Sequence, residues 1–156
     1  MTYEIIRTDV ATREDLFEQV AEVLQKKGYV TNGYLEALKE REEAFPTGLK
    51  VTLPDSQETI YTAIPHTEVD FCRVNQVIYV RNETALKFQH MINKAEDCYP
   101  KSMFFILNNR QDGQTEILAN LIGFFITEGG LAGLEQLSSD AEINQYLLEK
   151  GVFHYD

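Results

Sequence analysis

Amphipathic helical patterns occupy the first third of the chain. One runs from Thr12, which can cap the first turn with Asp15 three residues later, to a stop at Gly28. A second helix is predicted from residue 31 or 32 to residue 45, where Pro46 ends it. The apolar stripe of the first helix consists of Leu16, Phe17, Val20, Val23 and Leu24.

After the second helix the pattern changes to that of strands. Residues 49–53 alternate between apolar and polar side chains, 54–57 are turn formers, and 59–64 are β-branched or apolar. This pattern predicts a β-hairpin or a long excursion of the chain. Residues 74–81 form another strand candidate. The continuous apolar run at 102–107 is typical of a strand buried on both faces, so we expect it at the centre of a sheet.

Helical patterns return after a polar loop. Residues 114–127 predict a largely buried helix, and 131–137 and 141–150 predict two shorter ones. Either residue of the pair Ser139–Asp140 can cap the last helix. The short mixed segment at 3–8 is an edge strand or a lead-in. Elements in this order are typical of an α/β fold, with a mixed β-sheet flanked by helices.

Length and composition indicate a single domain spanning 1–156. A chain of 156 residues, with 44% hydrophobic and 25% charged residues, can bury a core without disulfides or metals. We expect Cys72 and Cys98 to be buried small hydrophobes, since they form neither a Cys-x-x-Cys pair nor a cluster with the histidines. The first residues show no secretory signal, and the longest apolar stretch, 117–126, is too short to span a membrane. We therefore expect a cytoplasmic protein.

The net charge disfavours partners that are recognised through a phosphate backbone. Nucleic-acid binding needs clustered lysine and arginine, whereas this chain has a net charge of −11. The same negative field favours encounter with a basic protein surface, because complementary charge raises association rates.

The chemistry that the sequence offers is centred on His66, which follows the second strand of the hairpin. Pro65 has no amide donor, so it ends the ladder and places the next side chain at the end of the strand. A histidine held there can act as a nucleophile through one ring nitrogen while a neighbour orients the other. From the residues alone, a hydrogen-bonded structural histidine at the rim of the core is the alternative.

Arg41, near the end of the second predicted helix, is the other candidate. Its guanidinium could hold two oxygens of a phosphoryl group through a planar fork, or it could be a solvated surface residue among the neighbouring acids. If the hairpin forms, His66 comes close in space to the end of this helix.

Two motifs resemble those of one protein family. Ala-Ile-Pro-His-Thr at 63–67 resembles the phosphorylation site of the cytoplasmic IIA components of the bacterial phosphoenolpyruvate-dependent sugar phosphotransferase system. Arg-Glu-x-x-x-Pro-Thr-Gly-Leu at 41–49 resembles their second motif. The similarity is to the fructose/mannitol class and, within it, to galactitol-type members. It implies the single-domain α/β sandwich of that class.

The resemblance also implies a role for each candidate residue. His66 accepts a phosphoryl group on Nε2 from the phosphocarrier protein HPr and passes it to a cysteine of a IIB component, as a phosphotransferase component of sugar uptake. Arg41 steadies the phosphoryl group, and Thr47 offers a hydroxyl or backbone donor beside it. Gln114 stands where many members carry a second histidine, and it can support the first ring by hydrogen bonding but cannot hold a positive charge. Such a transfer needs no metal and no cofactor.

A regulatory role is the alternative that the resemblance leaves open. Domains of this family also occur as signalling modules whose phosphorylation state is read by partner proteins. Gln114, together with a loop at 54–57 that is longer than usual in the family, could mark such a module. A member that binds partners without turnover is a third interpretation. The membrane component recognises the sugar, so the chain itself does not identify it.

Overall fold

A five-stranded mixed sheet forms the centre of the structure, and helices cover both of its faces. The structure is a computed structural model and describes residues 4–52, 58–110, 114–127 and 130–150. Its strands are β1 (Ile5–Thr8), β2 (Gly48–Thr52), β3 (Thr59–Ala63), β4 (Gln76–Asn82), β5 (Phe88–Gln89), β6 (Asp97–Cys98) and β7 (Ser102–Leu107). Its helices are α1 (Arg13–Lys26), α2 (Tyr34–Ala44), α3 (Gln114–Ile126), α4 (Leu131–Glu135) and α5 (Asp140–Lys150), with a 3₁₀ turn at Val69–Phe71.

The strands of the main sheet lie in the order β1, β4, β7, β3, β2, so β7 is central and β1 is an edge strand. β7 pairs antiparallel with β4 and parallel with β3, and β2 and β3 form the antiparallel hairpin that the pattern predicts. Every residue of β7 is buried, which explains why its sequence is a nearly continuous apolar run. The predicted α/β fold, a mixed sheet flanked by helices, is confirmed.

Two hydrophobic clusters fill the spaces on either side of the sheet. On one side Phe105 of β7 packs edge to face against Phe17 of α1, with ring centroids 5.8 Å apart. On the other side Phe104 contacts Phe125 of α3, with centroids 5.2 Å apart. Adjacent residues of β7 therefore belong to different layers, as the two-residue period of a strand requires.

Helix α1 begins and ends where its sequence indicates. The Thr12 side chain accepts a hydrogen bond from the backbone N–H of Asp15 at 3.0 Å. At the other end Gly28 has a φ of +76°, and the N–H of Tyr29 bonds to the carbonyl of Leu24 at 3.0 Å. This is the Schellman arrangement, whose left-handed residue is usually glycine.

Helix α2 begins at Tyr34 and not at residue 31 or 32, because the preceding backbone is paired elsewhere. The N–H of Thr31 bonds to the carbonyl of Phe71 at 3.0 Å. Val30 also forms an antiparallel bridge with Cys72, so the chain is extended here and the helix begins after it. Helical spacing in the sequence does not reveal a partner forty residues away.

The remaining elements follow the prediction except for a small second sheet. β5 and β6 pair antiparallel, which the sequence pattern did not predict. α3 begins at Gln114 as predicted, and Ser139 caps α5 by accepting the N–H of Glu142 at 3.1 Å. The turn predicted at 54–57 lies outside the described residues.

We predict that Gly48→Ala destabilises the protein by about 1–3 kcal/mol. A Cβ atom at this position in β2 would lie 2.5 Å from the carbonyl oxygen of Gln89 in β5, and a backbone atom cannot turn away. Gly123→Ala is the matched control, since a Cβ there meets no atom within 4 Å. Removing a glycine from a helix interior stabilises it by about 0.5–1 kcal/mol. Chemical denaturation measures both free energies of unfolding, and two effects of the same sign would contradict the close approach at Gly48.

Candidate functional site

His66 lies just beyond β3, where the pairing with β2 ends and the parallel pairing with β7 continues. β3 ends at Ala63, and the carbonyl of Pro65 accepts the N–H of Ile106 in β7 at 3.0 Å. His66 itself forms a parallel bridge with Ile106. Only 7% of its surface is exposed. The histidine is therefore held at the end of the hairpin, beside the central strand.

One nitrogen of the His66 ring is committed to the backbone. Nδ1 lies 2.8 Å from the carbonyl oxygen of Ile64. Because a carbonyl oxygen only accepts, Nδ1 carries the proton and donates it. In the neutral ring Nε2 then keeps its lone pair, which is the state that a nucleophilic nitrogen needs.

Arg41 extends from the last turn of α2 to a carboxylate two residues beyond His66. Its Nη1 donates to Oε1 of Glu68 at 3.0 Å, and its guanidinium lies 5.5 Å from the ring centre of Phe45. Among the described residues, nothing accepts a hydrogen bond from its Nε, which is buried. The planar fork of Arg41 is therefore only partly occupied, with its buried Nε–H left without an acceptor in the described structure.

Burial, a hydrogen bond and two charges act on the pKa of His66. Burial has the largest effect and lowers the pKa from its ordinary value of 6.5, because the charged ring would lose its hydration. The bond to the Ile64 carbonyl opposes this change, the charge of Arg41 lowers the pKa further, and the charge of Glu68 raises it. The net direction is downward, so the ring is neutral at neutral pH.

Thr47 gives both of its donors to a buried carboxylate. Its hydroxyl donates to Oε1 of Glu42 at 2.7 Å, and its backbone N–H donates to Oε2 at 2.6 Å. Only 1% of the surface of Glu42 is exposed. Burial raises the pKa of its carboxyl, while the two donors of Thr47 and the charge of Arg13 oppose the rise. The donors that were predicted to meet a phosphoryl group are thus engaged inside the protein, and that role of Thr47 stays a prediction.

Gln114 is the first residue of α3, the helix that follows β7 in the chain. Its side chain lies outside the described part of the structure, so its supporting role also stays a prediction. Asn108 follows β7 directly and is buried. Its Oδ1 accepts the N–H of Arg110 at 3.0 Å, whereas its Nδ2 has no partner within the described ranges.

Sequence reasoning missed Glu42, Glu68 and Asn108, although each adjoins a feature that it recognised. Glu42 is the residue after Arg41 in the second motif, and Glu68 comes directly after the first motif. Asn108 is the polar residue that ends the apolar run of β7. A polar residue directly beside a motif or a buried strand is therefore the signal that could have found them.

An open groove of about 490 Å³ lies along α2 beside this site. Arg41 and Glu68 line it, together with Ala37, Phe45 and Phe71. Phe45 is 66% exposed, which is unusual for a large aromatic side chain. Arg41 therefore lies in an open groove that apolar side chains also line.

The cysteines and the other histidines are the remaining candidates in the sequence. Cys72 and Cys98 are buried and free, as predicted. His90 accepts the N–H groups of Ile92 and Asn93 in its own loop, and His154 lies outside the described residues. Within the described ranges no three His, Cys, Asp or Glu side chains form a group that could hold a metal ion. Every helix in those ranges is too short or too polar to cross a lipid bilayer.

A neutral buried histidine, held by one ring nitrogen near a partly free arginine, gives this candidate site the chemistry to accept an anionic group. The sequence assigns the protein more narrowly. Residues 2–150 match the family described as phosphoenolpyruvate-dependent sugar phosphotransferase system, EIIA 2. The chain belongs to this family. No curated protein matches the sequence significantly.

Solved structures share the fold along almost the whole chain. Enzyme IIA-Mtl of Escherichia coli, solved in complex with phosphorylated enzyme IIB-Mtl, is 22% identical with a TM-score of 0.69, over 94% of each chain. The mannitol-specific cryptic enzyme IIA CmtB of Escherichia coli is 15% identical with a TM-score of 0.67, over 95% of this chain and 92% of its own. Nitrogen regulatory protein IIA-Ntr of Neisseria meningitidis is 19% identical with a TM-score of 0.63, over 93% and 92%.

We predict that the two charges beside His66 shift its pKa in opposite directions. Arg41→Gln removes a positive charge and raises the pKa, whereas Glu68→Gln removes a negative charge and lowers it. NMR titration of the His66 ring measures both shifts, with the unaltered protein expected below 6.5. Glu40→Gln, farther along the groove, is the control and leaves the value unchanged. A His66 pKa at or above 6.5 in the unaltered protein would contradict the dominance of burial.

Proposed function

We propose that the chain is a phosphoryl carrier, in which His66 accepts a phosphoryl group from HPr and passes it to a cysteine of a IIB component during sugar uptake. The observation that carries the proposal is the hydrogen bond from Nδ1 of His66 to the carbonyl of Ile64. Because it occupies Nδ1, it leaves Nε2 as the ring atom that can attack phosphorus. Membership of the IIA family supports the same role.

The two transfers are balanced displacements at phosphorus. In the first, the lone pair of Nε2 forms an N–P bond while the N–P bond of the phosphohistidine in HPr breaks, and that bond's electron pair returns to the donor ring. In the second, a thiolate of IIB forms an S–P bond and the electron pair of the N–P bond returns to Nε2. Nδ1 of His66 keeps its proton in both steps. The chemistry therefore requires positioning and charge stabilisation, and no metal or cofactor.

Arg41 stabilises the phosphoryl group by changing partners. A phosphoryl group carries more negative charge than the single carboxylate of Glu68, so it is the stronger ligand for the guanidinium. The Nε of Arg41 has no partner in the described structure and is available from the start. The ion pair with Glu68 is a weak competitor, because both side chains are partly exposed to water.

Thr47 and Gln114 take supporting places in the proposal. Thr47 donates to the phosphoryl group only if Glu42 releases one of its donors. Gln114, in the first turn of α3, hydrogen-bonds either the ring of His66 or a phosphoryl oxygen.

The surroundings of the site suit protein partners. The groove beside Arg41 and the exposed ring of Phe45 offer a surface on which HPr or IIB can dock. The net charge of −11 favours partners with basic faces. In this proposal the protein works in the cytoplasm, and the sugar, galactitol or a similar sugar alcohol, is bound by the membrane component.

A regulatory module is the second candidate. The likeness to nitrogen regulatory protein IIA-Ntr supports it to the extent that the fold is shared. Both candidates use His66 as a phosphoryl acceptor, and they differ in whether the group moves on to IIB.

We predict that the protein gains one phosphoryl mass when incubated with phosphoenolpyruvate, enzyme I and HPr. His66→Ala abolishes the gain, because the acceptor nitrogen is absent. Arg41→Lys keeps the positive charge but loses the planar fork, and it slows the gain on the order of 100-fold. Intact-mass spectrometry over time measures all three proteins.

The IIB component is then added to separate the two candidates. Rapid loss of the mass from the carrier supports transport, whereas a phosphorylated protein that retains the group supports a regulatory module. His90→Ala is the matched control and gains the mass at the unaltered rate. A folded protein that gains no mass contradicts both candidates.

We predict that Glu68→Gln raises the phosphorylated fraction at equilibrium with HPr by about two- to five-fold. The substitution frees Arg41 from a competing carboxylate and removes a negative charge that repels the phosphoryl group. Mass spectrometry of mixtures at several HPr concentrations gives the equilibrium constant. Glu40→Gln, in the same groove, controls for the loss of one acidic charge; an equal rise in that variant would contradict a specific exchange at Arg41.

A further inference from the structure

A continuous chain of hydrogen bonds leads from a buried carboxylate to the proposed phosphoryl acceptor. Glu42 accepts both donors of Thr47. The carbonyl of Thr47 accepts the N–H of Ile64 at 3.2 Å. The carbonyl of Ile64 in turn accepts Nδ1–H of His66 at 2.8 Å. Thr47 and Ile64 are therefore each held by hydrogen bonds at both their N–H and their C=O groups.

The Ile64 carbonyl has to be held firmly because it selects the tautomer of the ring. The next residue, Pro65, has no N–H, so the bond from Ile64 to Thr47 is the last one that the hairpin makes before the site. Thr47 lies just before β2, outside the regular ladder. Without Glu42, its position would depend on this one long bond and on the turn after α2.

A carboxylate at this position has no evident benefit for stability alone. Glu42 is almost completely buried, and among the described residues no lysine, arginine or histidine forms an ion pair with it. Arg13 acts on it only through its charge: its Nη1 and Nη2 bond to Gln89 and Glu14, and its buried Nε has no partner among the described residues. Burying a carboxylate costs free energy that an apolar side chain would not. A functional requirement for the geometry offers a reason for the cost.

We propose that Glu42 is a positioning residue for phosphoryl transfer: it holds Thr47, and through Thr47 and Ile64 it keeps His66 in the tautomer that leaves Nε2 free. The inference rests on the proposed function for its purpose, but its physical content concerns the unphosphorylated ring. It assigns to the Arg-Glu pair of the second motif two separate tasks, since Arg41 faces the groove and Glu42 faces the core.

The test is to read the tautomer of His66 from its ring ¹⁵N chemical shifts, in unphosphorylated protein at a pH where the ring is neutral. The unaltered protein is expected to show one form, protonated on Nδ1. Glu42→Leu has a side chain of similar size that cannot accept hydrogen bonds, and it yields a mixture of the two tautomers. Glu42→Gln keeps the single form, because its amide oxygen accepts the N–H of Thr47 and its amide group donates to the hydroxyl.

Phosphorylation by HPr is measured on the same variants. Glu42→Leu lowers the initial rate roughly 10-fold, in line with the loss of a group that orients a histidine, and Glu42→Gln stays near the unaltered rate. Val51→Ala is the control for lost stability, since Val51 is a buried residue of β2 whose side chain belongs to the apolar core. It leaves the tautomer and the rate unchanged.

Several outcomes overturn the inference. A single Nδ1–H tautomer in Glu42→Leu shows that Glu42 does not control the ring, whatever happens to the rate. A mixture in Glu42→Gln as well shows that charge and not hydrogen bonding is responsible. If Glu42→Leu does not fold, Thr47→Val removes only the hydroxyl bond and is expected to shift the tautomer, while Thr47→Ser restores it; an unchanged tautomer in Thr47→Val overturns the inference.

The experiment separates this inference from the proposed function. Failure of every variant, and of the unaltered protein, to accept a phosphoryl group would sink the carrier role, while the tautomer measurements would still decide whether Glu42 positions His66. If His66 is phosphorylated but its tautomer is the same in Glu42→Leu as in the unaltered protein, only the inference about Glu42 is overturned.

Discussion

The site depends on Pro65, which can accept a hydrogen bond but cannot donate one. β3 cannot extend its ladder with β2 past this residue, whereas its parallel pairing with β7, already present at Ala63, continues through the proline carbonyl to Ile106. His66 follows at once and is fixed between two strands whose positions are determined by the core. Side chains alternate between faces along an extended chain, so a shift of one residue would aim the ring at another layer. The placement of the ring is thus a property of the sheet and not of a loop.

In the proposed transfer, the surroundings of His66 keep the ring neutral before the phosphoryl group arrives, and the guanidinium of Arg41 is the cation that binds the group afterwards. Arg41 and Glu68 act on its pKa in opposite directions, so burial decides the outcome. An arginine without Glu68 would place an unbalanced charge beside a buried ring, and a carboxylate without Arg41 would favour the protonated, unreactive ring. The ion pair between Arg41 and Glu68 keeps these two charges balanced. Because both side chains are partly exposed to water, the pair is weak enough for Arg41 to exchange Glu68 for another anion.

Features that depend on neighbouring residues could be predicted from the sequence, and features that depend on distant partners could not. The capping of α1 by Thr12 could be predicted because its partner, Asp15, is three residues away. The central position of β7 could be predicted because its sequence is a continuous apolar run. The start of α2 was misplaced because Thr31 bonds to Phe71, which no local pattern shows. The role of Thr47 beside a phosphoryl group comes from the family motif and stays a prediction, whereas helical spacing on α2 did not reveal that Glu42 faces inward and accepts both donors of Thr47.

The last turn of α2 explains why two adjacent residues of one motif differ so much in their surroundings. Successive side chains on a helix point about 100° apart, so if one of the pair faces the groove, the other can face the core. Arg41 is partly exposed and bound to a single, replaceable carboxylate, whereas Glu42 is buried and holds two donors of Thr47. The proposed phosphoryl transfer uses both kinds of contact, because in it Arg41 changes partners while His66 stays in place. Because Arg41 and Glu42 lie on the same turn of α2, the exchangeable contact of Arg41 with Glu68 is linked directly to the fixed contact of Glu42 with Thr47.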